Sequence, residues 1–340
     1  MTQQGVAPDA GFEGLTRSQV RPAIEEYLGY YDRAGVKERK RDYPAVVNDF
    51  YHLVTKFYEF AWGQSFHFAP RRRGESFPAS LARYERYFGE RLGLGPGMRA
   101  LDVGCGVGGP LREIVRASGA HITGLNLNAY QVEKARHASH EAGLGALSDF
   151  LVSDFMKIDA PDGQFDAAYQ IEATCHAPDK VGAYREIARV LKPGARFAGG
   201  EWCVTDRYDA SDPEQRRIVS GIERGNALPE LVRFSEVREA LQAAGFELLE
   251  TYDGADLADP ETPWYVGLAG GGLSIQGLAR SPLGRGITGA LVRLLEALRL
   301  VPRGTAEVSR FLNEGADALV AGGERGIFTP LYFFLARKRS

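Results

Sequence analysis

The chain has 340 residues, a mass of 37.2 kDa, a net charge of -3 at pH 7 and a pI near 6.1, with 44% hydrophobic and 25% charged residues. That length suits one large domain or two interleaved ones around a buried core, and the absence of a strong positive field excludes a protein built to hold nucleic acid. Cys105, Cys175 and Cys203 have neither the spacing of a zinc site nor the density of a disulfide framework, so no metal is expected and the reading is a reduced, cytoplasmic protein without signal peptide or membrane span.

Residues 1–42 are polar and mixed in charge, with one helical apolar stripe from Ala23 to Tyr31, and read as a loosely docked arm. Residues 43–95 form an aromatic segment. Between Phe50 and Phe68 eight of nineteen residues are Phe, Tyr or Trp, against 11% in the whole chain, which marks either an unusually aromatic core helix or a binding surface. A helix from Ser76 to Leu92 follows. From Arg99 the pattern alternates: strands at 99–105, 121–126, 149–154, 165–172 and 196–204 are separated by helices at 110–118, 129–143 and 179–191. A helix at 235–244 leads to a strand at 246–252, and the last strand runs from Thr329 to Ala336. Such alternation predicts an α/β fold, a Rossmann-like parallel sheet over residues 96–256 with helices on both faces. Residues 257–328 read as a substrate-binding insertion and 329–340 as the final strand of the sheet. Within the insertion Ile287, Leu291, Leu294, Leu295 and Leu298 share a helical face with Arg285, Arg293 and Arg299 elsewhere. That helix either rests on a bilayer or, as amphipathic helices more often do, packs inside as a pocket wall.

The loop Asp102-Val-Gly104-Cys-Gly106-Val-Gly108-Gly109 follows the first strand and opens a helix, where glycines let the backbone pass close to a ligand. Its spacing, the acid two residues before the first glycine and Pro110 at the helix start favour a ligand without pyrophosphate. The loop resembles motif I of the class I S-adenosylmethionine-dependent methyltransferases, which implies S-adenosyl-L-methionine as cofactor and a seven-stranded sheet. Asp154-Phe155 matches the acid and apolar ring of that family's adenine site. Asn126, with Gln131 nearby, stands where the family usually has an acid for the ribose hydroxyls, and an amide also pairs with a hydroxyl.

Longer strings resemble the sterol 24-C-methyltransferases of fungi and plants. These are Tyr58-Glu59-Phe-Ala-Trp62-Gly-Gln-Ser-Phe66-His67-Phe68, Leu101 through Pro110, Ile171-Glu-Ala-Thr-Cys-His-Ala-Pro178, Glu201-Trp202 and Ile327-Phe-Thr-Pro330. The resemblance implies methyl transfer to a side-chain alkene of a sterol, with peripheral membrane contact and a homo-oligomer left open. The alternatives are a methyltransferase for another terpenoid or phenolic lipid, and a lipid-binding protein of the same fold without turnover. Gly199-Gly200, where the family has bulkier residues, are expected to reshape the sterol pocket.

An alkene needs no base to become a nucleophile, but the cation formed on methylation must be steadied and must lose a proton. Tyr58, Trp62, Phe66 and Phe68 are the expected ring faces for that cation. Glu59, His67, Glu172, His176 and Glu201 are the candidate proton acceptors. Glu172 is also assigned to the cofactor, with Asp102, Gly104, Gly106, Gly108, Asn126, Gln131, Asp154 and Phe155.

Overall fold

The computed structural model describes residues 15–270 and 282–340. Its strands are β1 (Arg99–Val103), β2 (His121–Asn126), β3 (Ser148–Val152), β4 (Phe165–Ile171), β5 (Leu191–Val204), β6 (Val232–Arg233), β7 (Phe246–Asp253) and β8 (Phe328–Lys338). They form one sheet in the order β3-β2-β1-β4-β5-β8-β7, with β6 paired to β5 off this path. The pairings among β1 to β5 are parallel, whereas β8 runs antiparallel between β5 and β7. The expected seven strands are present. The eighth, β6, has only two residues and is too short to carry an alternation that a sequence could display.

Helices α1 (Val20–Asp32), α2 (Val36–Arg41), α3 (Tyr43–Trp62) and α4 (Phe77–Leu92) precede the sheet. Local chemistry accounts for the ends of α4. The Ser76 hydroxyl accepts the Ala79 N–H at 3.3 Å, Pro78 sits in the first turn where no N–H is missed, and Gly93 stops the helix in the left-handed region. Between and after the strands lie α5 (Gly109–Ser118), α6 (Ala129–Glu141), α7 (Lys180–Val190), α8 (Pro213–Gly225), α9 (Phe234–Ala243), α10 (Pro282–Ala297) and α11 (Thr305–Glu324).

Two apolar cores cover the two faces of the sheet. Phe88 of α4 and Leu111 and Ile114 of α5 pack on one face with Ala100, Ile122 and Tyr169. Tyr184 and Ile187 of α7 and Leu241 of α9 pack on the other with Leu101, Phe197 and Phe334. A third core joins Val20, Ile24 and Tyr27 of α1 to Phe50, Leu53 and Val54 of α3 and to Val308 and Phe311 of α11. The N-terminal segment is therefore not a loose arm from Val20 onward: its three core residues are fully buried. Their spacing marks an apolar face, but the partners on α11 lie some 280 positions away, beyond the reach of local pattern.

Two other expectations are corrected. Gly199 and Gly200 do not shape a pocket. A Cβ at Gly199 would strike the Phe334 ring, its partner across β5 and β8, and one at Gly200 would meet Phe88 and Tyr84 at 3.5 Å. Gly199 makes room for a core ring, and a methyl at Gly200 would make only ordinary contact with two others. The face of α10 does not pack inside as a wall: Ile287, Leu291, Leu294 and Leu298 are 63, 52, 55 and 59% exposed.

Candidate cofactor and substrate cleft

Strand order reverses between β1 and β4, and loops leaving the carboxyl ends of those strands diverge there to open a crevice. A cleft of about 820 Å³ occupies this position. One wall is the loop after β1. Gly104 and Gly106 have φ of 78° and 52°, the left-handed region where a side chain is strained, and a Cβ on Gly104 would collide with Ala173. Gly109 faces the Gln64 carbonyl so closely that any side chain would collide with it. Gly104 and Gly106 line the cleft, whereas Gly108 does not. Asp102 lies beneath the loop, 3% exposed, with Oδ2 buried and unpartnered, and burial pushes its carboxyl up to about 7.

The amides at the end of β2 form a chain. Asn126 donates to Gln131 Oε1 at 2.7 Å, and Gln131 donates to Thr55 Oγ1 of α3 at 3.1 Å. After β3, Asp154 Oδ1 accepts from the Tyr43 hydroxyl and from the Met156 N–H at 2.7 Å, while the Tyr43 ring stacks on Phe155 with centroids 6.0 Å apart. All five of Asn126, Gln131, Asp154, Phe155 and Tyr43 line the cleft.

Helix α3 closes the cleft from above. Tyr51, Thr55 and Glu59 recur every four residues on one face and meet His176, Gln131 and Lys134 in turn, while Tyr43, in the first turn of the helix, reaches Asp154. Asn48 adds an acceptor for the Asn128 amide at 3.0 Å. Phe50, Leu53 and Val54, off this stripe, are buried in the third core, and Tyr51 packs partly against it.

Glu172, just past β4, is the hub of the far end. It has φ of 58°, unusual for a residue with a side chain. Its two carboxylate oxygens accept from the Phe68 N–H and the Trp202 indole N–H, both at 2.7 Å. Burial pushes its carboxyl up to about 8, against the pull of His67 and those donors. His67 is buried with Nδ1 2.8 Å from the Phe68 carbonyl and Nε2 3.0 Å from Glu85 Oε1. Both partners are acceptors, so both ring nitrogens carry protons. Burial opposes that charge, but the Glu85 hydrogen bond and charge raise the imidazole above its usual range. His176, by contrast, is pushed down to about 4 by burial.

The cleft thus unites Gly104, Gly106, Asn126, Gln131, Asp154, Phe155, Glu172, His67 and His176. Other expected site residues lie elsewhere. Glu59 is ion-paired to Lys134 at 2.5 Å outside the lining. Glu201 is fully buried and engaged by the Thr174 and Tyr184 hydroxyls and by Lys180 at 3.3 Å. Tyr58 stands edge-on to Phe66 with centroids 5.6 Å apart, and Trp62 is wedged between Phe68 and Phe77, so neither ring lines the cleft. Sequence reasoning missed Tyr43, Asn48, Tyr51 and Glu85. Tyr43 and Tyr51 carried a signal in the four-residue spacing along α3, hidden under the aromatic density, whereas Asn48 lies off it. Glu85, eighteen positions from His67, carried none.

Two family models match the chain: "Methyltransferase domain" over residues 101–199 and "Sterol methyltransferase C-terminal" over residues 275–339. Cycloartenol-C-24-methyltransferase 1 of Oryza sativa subsp. japonica is 47% identical over 326 residues, covering 95% of this chain and 94% of the relative. Sterol 24-C-methyltransferase of Eremothecium gossypii is 46% identical over 336 residues, covering 96% and 90%. Among solved structures, the cyclopropane synthase MmaA2 from Mycobacterium tuberculosis superposes with a TM-score of 0.66 at 16% identity over 88% of this chain and 98% of that one. Geranyl diphosphate C-methyltransferase from Streptomyces coelicolor A3(2) gives 0.63 at 17% identity over 88% and 98%. At such identities these structures bear on the fold alone.

Proposed function

This chain belongs to the sterol 24-C-methyltransferase family, and from that premise we propose that it transfers the methyl group of S-adenosylmethionine to C-24 of a sterol with an alkene at that position. The observation that carries the reading is one cleft whose lining joins the glycine cradle and the Asp154 carboxylate to the rings of Tyr43, Tyr51, Phe66 and Phe155. The residues fit the cofactor. Gly104 and Gly106 bring bare backbone to the ligand, and Asn126 and Gln131 present amides suited to ribose hydroxyls. Asp154 would supply an acceptor for the adenine amino group with the Phe155 ring beside it, and Glu172 would bound the methionine end.

When bound, S-adenosylmethionine supplies an electrophilic methyl group on a sulfonium. The protein's task is then alignment and exclusion of water, because the alkene is already nucleophilic. Phe66 and Tyr51 are rings of the lining that face the cation left on the sterol, each worth roughly 0.5 to 2 kcal/mol by cation–π attraction. Tyr58 and Trp62 act behind them, holding Phe66 and Phe68 in place by edge-on contacts.

A substrate of this kind resides in a bilayer, and α10 supports delivery from one. Its exposed Ile287, Leu291 and Leu294, followed by the exposed Leu298 just past its end, accompany the exposed Arg293 of the helix and Arg299 and Arg303 of the segment after it, a combination suited to a lipid interface. Leu291→Glu with Leu294→Glu lowers binding to anionic vesicles while sparing turnover of detergent-dispersed sterol.

The function is tested by S-adenosylhomocysteine release with two sterols that differ only in side-chain unsaturation. Release with the alkene and none with its saturated twin is expected. Equal release with both, or with neither, refutes the assignment.

A further inference from the structure

Methylation of an alkene leaves a cation that must lose one proton, so the cleft needs one acceptor. Four carboxyl and imidazole groups line it, and two of them, Asp154 and Glu172, belong to the cofactor half of the cleft in the reading above. Asp154 Oδ1 takes the Tyr43 hydroxyl and the Met156 N–H. Both oxygens of Glu172 hold N–H donors. His67 faces acceptors on both nitrogens and has no lone pair to offer.

His176 differs. Its Nδ1 lies 3.0 Å from the Ala227 carbonyl, an acceptor, so Nδ1 carries the proton and Nε2 keeps its lone pair. The Tyr51 hydroxyl lies 3.2 Å from that Nε2 and donates to it. The tautomer is held firmly. Ala227 adopts φ of 53°, and its N–H donates to the Tyr27 hydroxyl at 3.1 Å, so the carbonyl that fixes Nδ1 is itself fixed. Tyr51 and His176 both line the cleft, and their rings meet edge-on at 5.8 Å.

We infer that the Tyr51 hydroxyl is the proton acceptor of the closing step, relaying to Nε2 of His176; this rests on the reading that the cleft methylates an alkene. The C–H bonding pair beside the cationic carbon becomes the new π bond. Its proton passes to the Tyr51 oxygen as the Tyr51 hydroxyl proton passes to Nε2, leaving a neutral phenol and an imidazolium. Burial keeps His176 neutral beforehand, and Lys180, Glu201 and Glu172 are the charged groups that bear on the pair. A weak base suffices, because a C–H beside a cation is strongly acidic.

The test compares Tyr51→Phe and His176→Gln with the parent protein. Each is loaded with methyl-labelled S-adenosylmethionine and an alkene-bearing sterol, and followed by rapid quench with product analysis in H2O and D2O. Tyr51→Phe keeps the ring and loses only the hydroxyl. The relay predicts that label still reaches the sterol in the first turnover, while release of the parent alkene falls by about 10²-fold. Isomeric alkenes or a water-captured alcohol appear instead. It also predicts a solvent isotope effect on product partition in the parent that vanishes in Tyr51→Phe, and the same altered products from His176→Gln. Unchanged products and partition in Tyr51→Phe overturn the relay. So does a loss confined to melting temperature and cofactor affinity, which marks the pair as structural. Failure of the parent itself to label any sterol refutes the functional reading instead.

Discussion

Glu172 shows how a single side chain holds the site together. Its carboxylate accepts one N–H from Phe68, at the end of the aromatic segment, and one from Trp202, on β5 in the middle of the sheet. Glutamine has nearly the same shape, but one of its two terminal atoms is an NH2, which cannot accept. Glu172→Gln therefore leaves one buried N–H unpaired, at a cost of about 1–3 kcal/mol. The expected result is a lower melting temperature and S-adenosylhomocysteine affinity weakened about tenfold, read by calorimetry. Normal values for both contradict the role. The residue itself was legible in Ile171-Glu-Ala-Thr-Cys-His, but its partners were not, because Trp202 reaches it across the β4–β5 pairing and Phe68 from the segment between α3 and α4, both far along the chain. Glu201 was misread for the same reason. A carboxylate at the site-bearing end of β5 belongs to the cleft or to the opposite side by a single step of the strand's two-residue period, and here it serves Thr174, Tyr184 and Lys180.

Helix α3 extends this to an element. Its apolar face is anchored on α1 and α11, and its polar face touches the cofactor loops through Tyr43, Asn48, Tyr51 and Thr55. Each polar contact contributes on the order of 1 kcal/mol, so the anchored face is the more stable hinge and the polar face the one that parts. Asn48→Ala with Thr55→Val is expected to raise amide hydrogen exchange across 43–59 with little change at β1 and β4, and S-adenosylhomocysteine is expected to restore protection in the parent. Exchange that is identical in parent and variant contradicts the clamp. Composition revealed that this stretch is special, yet not which of its side chains reach the cofactor loops. For α10 the reverse held: the stripe was plain, but a period of 3.6 residues is the same whether the face it marks is covered or exposed.

In the whole molecule the alternating pattern was enough to predict the sheet and its helices, since each strand and helix carries its own period. The packing of α1 on α11, and of His67 on Glu85, joins residues that no local pattern links. The assembled cleft also makes stability depend on pH. Burial raises Asp102 from 3.8 to about 7 and Glu172 from 4.5 to about 8, so each favours the native state fully below its unfolded value. That contribution is lost as pH rises through the folded value. Each unit corresponds to about 1.4 kcal/mol. Chemical unfolding of the free protein is therefore expected to become easier from pH 5 to pH 8, and Asp102→Asn to flatten that slope; parallel slopes contradict the assignment. The central claim, that this cleft carries a methyl group from S-adenosylmethionine to one carbon of a sterol side chain, is tested most directly by locating a ¹³C label. After turnover with ¹³C-methyl S-adenosylmethionine and a sterol bearing the side-chain alkene, the new carbon is predicted to appear bonded to C-24 in the NMR spectrum of the product. Label on an oxygen, at any other carbon, or on no sterol at all would contradict it.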